Sequence, residues 1–239
     1  LTELAEMYSR YCEATTLPLL ADADTGFGNV TNVARAVRLY EKAGVAGLFI
    51  EDQVFPKRCG HMTGKAVVPP VEWIAKIKAA LDAREDPDFV IMARTDALAV
   101  NGVDDAILRA QLACDAGADL LFVEAPTTIG EMRRICAEVP GPCLANNVET
   151  GRSPLLPAAD LQALGYAAVV FPVAATYAVA HALAELFATI RRTGTTEAFL
   201  PRLFAFDAFN DLVGLPAQRE REAALQEYAE ALVARRKSR

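Results

Sequence analysis

The stretch AGVAGLFIED, residues 43–52, contains the pattern that decides the fold. Gly44 precedes a short apolar run that ends at Glu51. Glycine adopts the left-handed conformation found at many helix ends without steric cost. The run GLFI shows no polar alternation, which is typical of a parallel strand buried on both faces. The stretch therefore predicts a helix that ends at Gly44 and a buried strand that ends at Glu51.

Similar segments recur along the chain. The segments between them show helical periodicity, as where Val33, Ala36, Val37 and Tyr40 fall on one helix face. Two stretches repeat the glycine-to-strand pattern, and three further apolar runs fit the same strand position: AGADLLFVEA (116–125), LGYAAVVFPV (164–173), LPLLADAD (17–24), FVIMARTD (89–96) and CLANN (143–147). We therefore predict an α/β fold with parallel strands centred near residues 20, 49, 92, 122, 145 and 170.

Polar residues mark the ends of almost all these strands. No glycine-rich phosphate-binding fingerprint follows the first strand, which argues against an open nucleotide-binding sheet. Convergence of many strand ends on one site is typical of a TIM-type (β/α)8 barrel. We predict such a barrel over residues 1–175, with six visible strands and the first two β/α units missing from this chain. Residues 176–239 are predicted to form a C-terminal helical segment of the same domain.

The composition of the chain argues against nucleic-acid binding and against a membrane span. The chain has 239 residues, a formal net charge of −7 and a pI near 5.0, which argues against a nucleic-acid partner. The longest uncharged stretch, residues 161–184, is interrupted by Gly165 and Pro172, so we predict no membrane span. The five cysteines form no C-x-x-C pair, which indicates reduced thiols in a cytoplasmic protein.

Three carboxylates at strand ends suggest a cation site. Asp22 and Asp24 are two residues apart on a predicted strand and so are expected to face the same way. Like charges this close repel unless a cation or proton intervenes. Together with Glu51 they form an all-oxygen set that suits Mg2+ or Mn2+. The alternative is that these acids cap the helices that follow.

Arg94 and Glu124 occupy equivalent places on later strands, and two asparagines end the strand after them. The arginine fork matches a substrate carboxylate, although a structural ion pair with a neighbouring acid would also explain Arg94. Asn146 and Asn147 either donate to a substrate oxygen or satisfy a turn.

A long segment, QVFPKRCGHMTGKAVVPP (residues 53–70), follows the second strand; we call it the cysteine loop. Connections of this length in compact domains are usually functional lids. Gly60 and Gly64 give it hinge-like freedom, and Cys59 lies near its middle. Nearby positive charge lowers a thiol pKa and prepares the thiol for proton transfer. The basic neighbours are Lys57, Arg58 and His61.

The segments LADADTGFGN, FIEDQVFPKRCGH, ARTDA, FVEAP and LANNVETG resemble the isocitrate lyase and phosphoenolpyruvate mutase superfamily. The resemblance runs from residue 17 to about residue 175, and K-R-C-G-H is its most specific motif. It implies a Mg2+-dependent barrel that acts on 2-oxo acids or on 2-hydroxy di- and tricarboxylates. It also implies homodimers or homotetramers whose subunits exchange their last helices.

The resemblance assigns roles to the metal and proton-transfer residues. Asp22, Asp24 and Glu51 would surround the metal ion, partly through water. Cys59 would protonate the carbanion-like fragment that remains after carbon–carbon cleavage. Glu124 would anchor the hydrogen bonds that orient the cysteine. The general base is not identified by the motifs in this chain.

Substrate contacts are implied in the same way. Arg94 and Asn146 would hold substrate carboxylates, while Gly60 and His61 would contact the substrate in the closed loop. The implied reaction is a retro-aldol cleavage that releases a 2-oxo acid, such as that of methylisocitrate or a substituted malate. Phosphonomutases of the superfamily generally lack the C-G-H segment, which favours a lyase. An oxaloacetate-type hydrolase, a phosphonomutase and an inactive truncated paralogue remain as alternatives.

Overall fold

The computed structural model describes residues 1–238 and contains the predicted strands in chain order. The strands are β1 (Leu20–Asp22), β2 (Gly47–Glu51), β3 (Val90–Thr95), β4 (Leu120–Val123), β5 (Leu144–Asn146) and β6 (Ala168–Val170). Helices alternate with them: α1 (Thr2–Ala14), α2 (Val30–Ala43), α3 (Pro70–Ala83), α4 (Leu98–Asn101), α5 (Val103–Ala116), α6 (Ile129–Glu138) and α7 (Ala158–Leu164). The predicted alternation of strand and helix is confirmed.

All pairings between these strands are parallel. β1, β2, β3 and β4 form one sheet in that order, and β5 pairs with β6. A single parallel bridge between Leu121 and Cys143 joins the two groups. The parallel α/β fold is therefore confirmed. Since β6 and β1 do not pair within residues 1–238, closure into a barrel stays a prediction.

The glycines of the repeat end helices, as their spacing predicts. Gly44 ends α2 with φ of 90° and Gly117 ends α5 with φ of 104°, both in the left-handed region. Each backbone N–H donates to carbonyls of the preceding turn, and β2 or β4 begins within three residues. The glycine thus turns the chain sharply from the helix layer back into the sheet.

The two faces of the sheet carry different side chains. One face packs against the helices and forms the main core, which includes Trp73, Tyr40 and Ile91. The other face carries a smaller apolar cluster of buried and partly buried residues: Leu20, Phe49, Met92, Leu120, Phe122, Leu144 and Ala168. Side chains two positions further along a strand share its face. The polar strand-end residues on this second face are Asp22, Glu51, Arg94, Glu124 and Asn146.

The chain divides into two compact units, with the boundary between Ala174 and Ala175. The second unit contains most of α8 (Ala174–Thr193), a 3-10 helix (Glu197–Arg202), α9 (Phe206–Leu212) and α10 (Leu215–Lys237). Membership of the same domain and exchange between subunits stay predictions. Every helix among residues 1–238 is too short or too polar to cross a lipid bilayer.

Candidate active site

Asp22 and Asp24 lie together, but not for the reason predicted. β1 ends at Asp22, and Asp24 has φ of 49°, so the alternation of an extended strand does not apply to it. Instead the chain turns, and the backbone N–H of Asp24 donates to Asp22 Oδ1 over 2.7 Å. The expectation that the two residues share a strand face is therefore wrong. A turn at the strand end brings the two carboxylates to the same place.

A lysine from the cysteine loop lies among these carboxylates. Lys57 Nζ is 2.6 Å from Asp24 Oδ1, 3.4 Å from Asp22 Oδ2 and 3.5 Å from Glu51 Oε2. Burial would lower the pKa of Lys57, but the hydrogen bond that its ammonium donates to Asp24 and the charge of Asp22 outweigh burial and raise the pKa. The positive charge that three neighbouring acids require is thus supplied here by the chain itself.

The chemistry of the three acids fits a divalent cation. Asp22, Asp24 and Glu51 offer only carboxylate oxygens, which Mg2+ and Mn2+ prefer, and Glu51 Oε1 is buried without a hydrogen-bond partner. No group of three or more His, Cys, Asp or Glu residues within 1–238 is arranged closely enough to hold a metal ion. Within residues 1–238 the three carboxylates instead surround the Lys57 ammonium.

Glu51 is the most deeply buried of the three acids. Its side chain is inaccessible to solvent, and burial raises its pKa to about 7, although Arg94 and Lys57 offset part of the effect. Arg94 Nη1 lies 3.3 Å from Glu51 Oε2. Glu51 therefore joins the acid cluster to the guanidinium on the next strand.

Arg94 is ion-paired in this structure. Its Nε donates to Asp96 Oδ2 over 2.9 Å, and its Nη2 donates to Asp96 Oδ1 over 3.3 Å. Its guanidinium carbon lies 5.1 Å from the ring centre of Phe122, which supports the plane from the apolar side. The structural ion pair considered from the sequence is therefore present. A guanidinium has five N–H donors, so the terminal nitrogens retain donors for a ligand.

Glu124 connects a strand to the cysteine loop. Asn146 Nδ2 donates to its Oε2 over 3.1 Å. His61 Nε2 lies 2.9 Å from its Oε1, at an angle that does not complete a hydrogen bond. His61 Nδ1 accepts from the backbone N–H of Arg152 over 2.9 Å, which places the imidazole hydrogen on Nε2, facing Glu124. The predicted residues Glu124, Asn146 and His61 thus form one cluster.

The second asparagine serves the backbone. Asn147 Nδ2 donates to the Leu156 carbonyl over 2.9 Å, and the Leu156 N–H donates back to Asn147 Oδ1 over 3.2 Å. Both ends of the amide are used, so the turn alternative is correct for Asn147. The two neighbouring asparagines therefore have different roles.

Cys59 is exposed, and its basic neighbours are engaged elsewhere. Lys57 contacts the acid cluster, Arg58 donates to the Thr63 carbonyl over 3.2 Å, and His61 faces Glu124. The Cys59 thiol makes no hydrogen bond within residues 1–238. The positive charge expected around it is therefore directed away from it in this structure, and its role in proton transfer stays a prediction.

Gly60 lies directly against Glu124. A Cβ atom at Gly60 would be 2.4 Å from Glu124 Cγ, closer than real contacts allow. We expect Gly60→Ala to displace the loop or Glu124, to destabilise the fold by about 1–3 kcal/mol, and to lower kcat/KM. Urea unfolding and steady-state kinetics measure these effects. Gly130→Ala is the matched control, since a Cβ there meets only Thr128 Oγ1 at 3.7 Å; equal behaviour of both variants would contradict the close contact.

Sequence reasoning missed two lysines that reach the strand ends from the cysteine loop. Lys57 was interpreted only as a neighbour of Cys59, yet its ammonium contacts the acid cluster. The side chain of Lys65 is buried, and its Nζ lies 2.8 Å from Asp96 Oδ1. A signal was available in the sequence: the loop between two acid-bearing strands contains two lysines. Buried carboxylates need cationic partners, and these lysines could supply them.

Comparisons with known proteins identify the relatives of this chain. The sequence profile described as phosphoenolpyruvate phosphomutase matches residues 1–191. The 2,3-dimethylmalate lyase of Eubacterium barkeri is 48% identical over 222 residues, which cover 93% of this chain and 77% of that protein. The 2-methylisocitrate lyase of Aeropyrum pernix is 42% identical over 235 residues, which cover 98% of this chain and 76% of that protein.

Solved structures share the fold. Oxaloacetate acetylhydrolase in complex with 3,3-difluorooxalacetate matches with a TM-score of 0.86 and 32% identity, over 94% of this chain and 77% of that chain. Phosphonopyruvate hydrolase in complex with oxalate and Mg2+ matches with a TM-score of 0.80 and 34% identity, over 92% and 76% of the respective chains.

Proposed function

This chain belongs to the phosphoenolpyruvate phosphomutase family, and we propose that it is a Mg2+-dependent carbon–carbon lyase. Its substrate would be a 2-hydroxy di- or tricarboxylate, such as a substituted malate or methylisocitrate. The products would be a 2-oxo acid and a second carboxylate. Relatives named as lyases of dimethylmalate and methylisocitrate support this class of reaction.

One observation carries the proposal. Arg94, the acid cluster and the Glu124–Asn146 pair lie on a single face of the sheet, at the carboxyl ends of neighbouring strands. A substrate with two carboxylates needs cationic and amide donors at separate points. Arg94 and Asn146 offer such donors on different strands.

The proposed metal ion would be held by Asp22, Asp24 and Glu51. When bound, it would act as a Lewis acid that stabilises negative charge on substrate oxygens. The Mg2+ in the phosphonopyruvate hydrolase complex supports this choice within the family.

The chain's own residues would then position the substrate and deliver a proton. A base takes the proton of the 2-hydroxyl group, the C2–C3 bond breaks, and C2 becomes the carbonyl carbon of the oxo acid. The electron pair passes to C3, whose carboxylate delocalises it. The Cys59 thiol gives its proton to C3, and Arg94 balances the carboxylate charge. The cysteine loop would exclude water from the reacting carbon.

Product analysis tests the proposal. The purified chain is incubated with Mg2+ and, separately, 2,3-dimethylmalate, 2-methylisocitrate, isocitrate or oxaloacetate. We expect release of pyruvate from one of the first two substrates. Oxalate and acetate from oxaloacetate alone would instead indicate the hydrolase chemistry of the structural relative. No oxo acid from any of the hydroxy acids would contradict the lyase proposal.

We also propose that the chain assembles into a homodimer or homotetramer. Apolar side chains on α10 are exposed, including Leu225, Tyr228 and Leu232, as expected for a surface that packs against another copy. Light scattering of the purified chain measures the mass, and a monomer at working concentration would contradict the assembly. A cytoplasmic location remains an expectation from the cysteine content.

A further inference from the structure

We propose that Lys65 and Asp96 form a positioning pair that orients the guanidinium of Arg94 and couples it to the backbone of the cysteine loop. The substrate-binding part of this inference rests on the proposed function of Arg94. Neither residue is among those that the sequence motifs assign to catalysis, substrate or metal.

Asp96 is shared between two cations. Its Oδ2 accepts from Arg94 Nε over 2.9 Å, and its Oδ1 accepts from Arg94 Nη2 over 3.3 Å and from Lys65 Nζ over 2.8 Å. The Asp96 side chain is 0% exposed and that of Lys65 is 1% exposed. Because both carboxylate oxygens are used, the plane of the carboxylate fixes the plane of the guanidinium.

The electrostatics favour a charged Asp96. Burial alone would raise its pKa, but Arg94 and then Lys65 outweigh burial and hold the pKa below its usual value. The backbone N–H of Asp96 also donates to Asp52 Oδ1 over 2.8 Å, which fixes its main chain. The carboxylate is therefore a fixed anion on a rigid strand end, well suited to hold a second side chain in one orientation.

Lys65 carries this arrangement into the loop. Its Nζ also donates to the Gly60 carbonyl over 2.5 Å. Gly60 follows Cys59 and lies against Glu124, with no room for a side chain. One ammonium thus joins the carboxylate that orients Arg94 to the residue beside the proposed proton donor.

A purely stabilising role does not require this design. A buried ion pair loses much of its Coulombic gain to desolvation, and apolar residues of similar volume often stabilise a fold as well. Apolar contacts are not directional, whereas the hydrogen bonds of the Lys65–Asp96 pair fix the orientation of the Arg94 guanidinium and of the Gly60 carbonyl. The pair therefore fits a positioning role: it sets where the substrate carboxylate binds and where the loop stands over it.

The test compares Lys65→Met, Lys65→Arg, Asp96→Asn and the double variant of Lys65→Met with Asp96→Asn in the full chain. An arginine-specific protease reports loop release through cleavage after Arg58, measured relative to cleavage after Arg38 in α2. We expect Lys65→Met and Asp96→Asn to raise this ratio about tenfold, as loss of one charge-assisted hydrogen bond predicts. The double variant should exceed neither single variant, because both break the same link.

The control is Lys78→Met, which removes an exposed lysine of α3 that pairs with Asp82. It should leave the cleavage ratio unchanged, and Lys65→Arg should keep the ratio close to that of the wild type. The proposal would be overturned if the cleavage ratio of Lys65→Met equalled that of the control, or if the two substitutions had additive effects in the double variant. Equal acceleration after Arg58 and Arg38 would indicate global destabilisation and would also overturn it.

Kinetics test the link to Arg94. In an active wild type, Lys65→Met should lower kcat/KM by about a hundredfold, with a raised KM, as expected for a misplaced substrate ligand. An unchanged KM would contradict the role of the pair in orienting Arg94. If the wild type releases no oxo acid at all, the proposed function fails together with this link, while the cleavage ratio still decides whether the pair holds the loop.

Discussion

Replacing Cys59 with serine is expected to lower kcat for oxo-acid release by about a hundredfold or more, the contribution of a positioned general acid. Because a hydroxyl is a much weaker acid than a thiol, the carbanion-like fragment would be protonated more slowly, by water. KM should change little, because the two side chains are similar in size and Cys59 is an exposed residue of the loop. Steady-state assays with the best substrate measure both constants.

Cys12→Ser is the matched control for this variant. Cys12 lies in α1 and is half-buried beside Gly44, on the helix side of the sheet. We expect it to keep wild-type kcat. Wild-type kcat in Cys59→Ser would show that another group delivers the proton, and the proposed role of the cysteine loop would then be limited to excluding water.

The fold was predictable because its signals are local. A glycine at the end of a helix and a short apolar run together encode a change of backbone direction and a buried strand, and both fall within ten residues. Gly44 and Gly117 adopt the left-handed conformation that this pattern predicts. This local pattern predicts the positions of the strands without any knowledge of what each strand packs against. Closure of the sheet depends on distant pairing and was not predictable in this way.

The site was only partly predictable because partners in space are distant in sequence. The residue types at strand ends indicated an acid cluster and a guanidinium, and these are present. Nothing in the sequence shows that Lys57 turns toward Asp24 or that Asp24 leaves the strand through a positive φ. The path of the cysteine loop brings Lys57 to Asp24, and a local turn after β1 gives Asp24 its positive φ. Both determine which charges meet.

Neighbouring residues at the end of β2 face opposite sides of the sheet. Glu51 faces the candidate site, while Asp52 faces the helices, as alternation along an extended chain requires. Asp52 is fully buried and accepts from Thr95 Oγ1 over 2.6 Å and from Arg109 Nη1 over 3.2 Å. Arg109 Nη1 also donates to the Val68 carbonyl over 2.8 Å. This network joins β2, β3, α5 and the end of the cysteine loop.

We therefore expect Arg109→Met to lower the free energy of unfolding by about 3–5 kcal/mol, because it leaves the buried Asp52 carboxylate without its cation. Burial already raises the pKa of Asp52, so the folded state takes up a proton more readily than the unfolded chain. The loss should consequently be larger at pH 8 than at pH 5, where Asp52 is closer to protonation. Urea unfolding at both pH values measures this. The control, Arg134→Met, removes an exposed arginine that pairs with Glu138, four positions later, and should change the free energy of unfolding little. An equal loss in both variants would contradict the network.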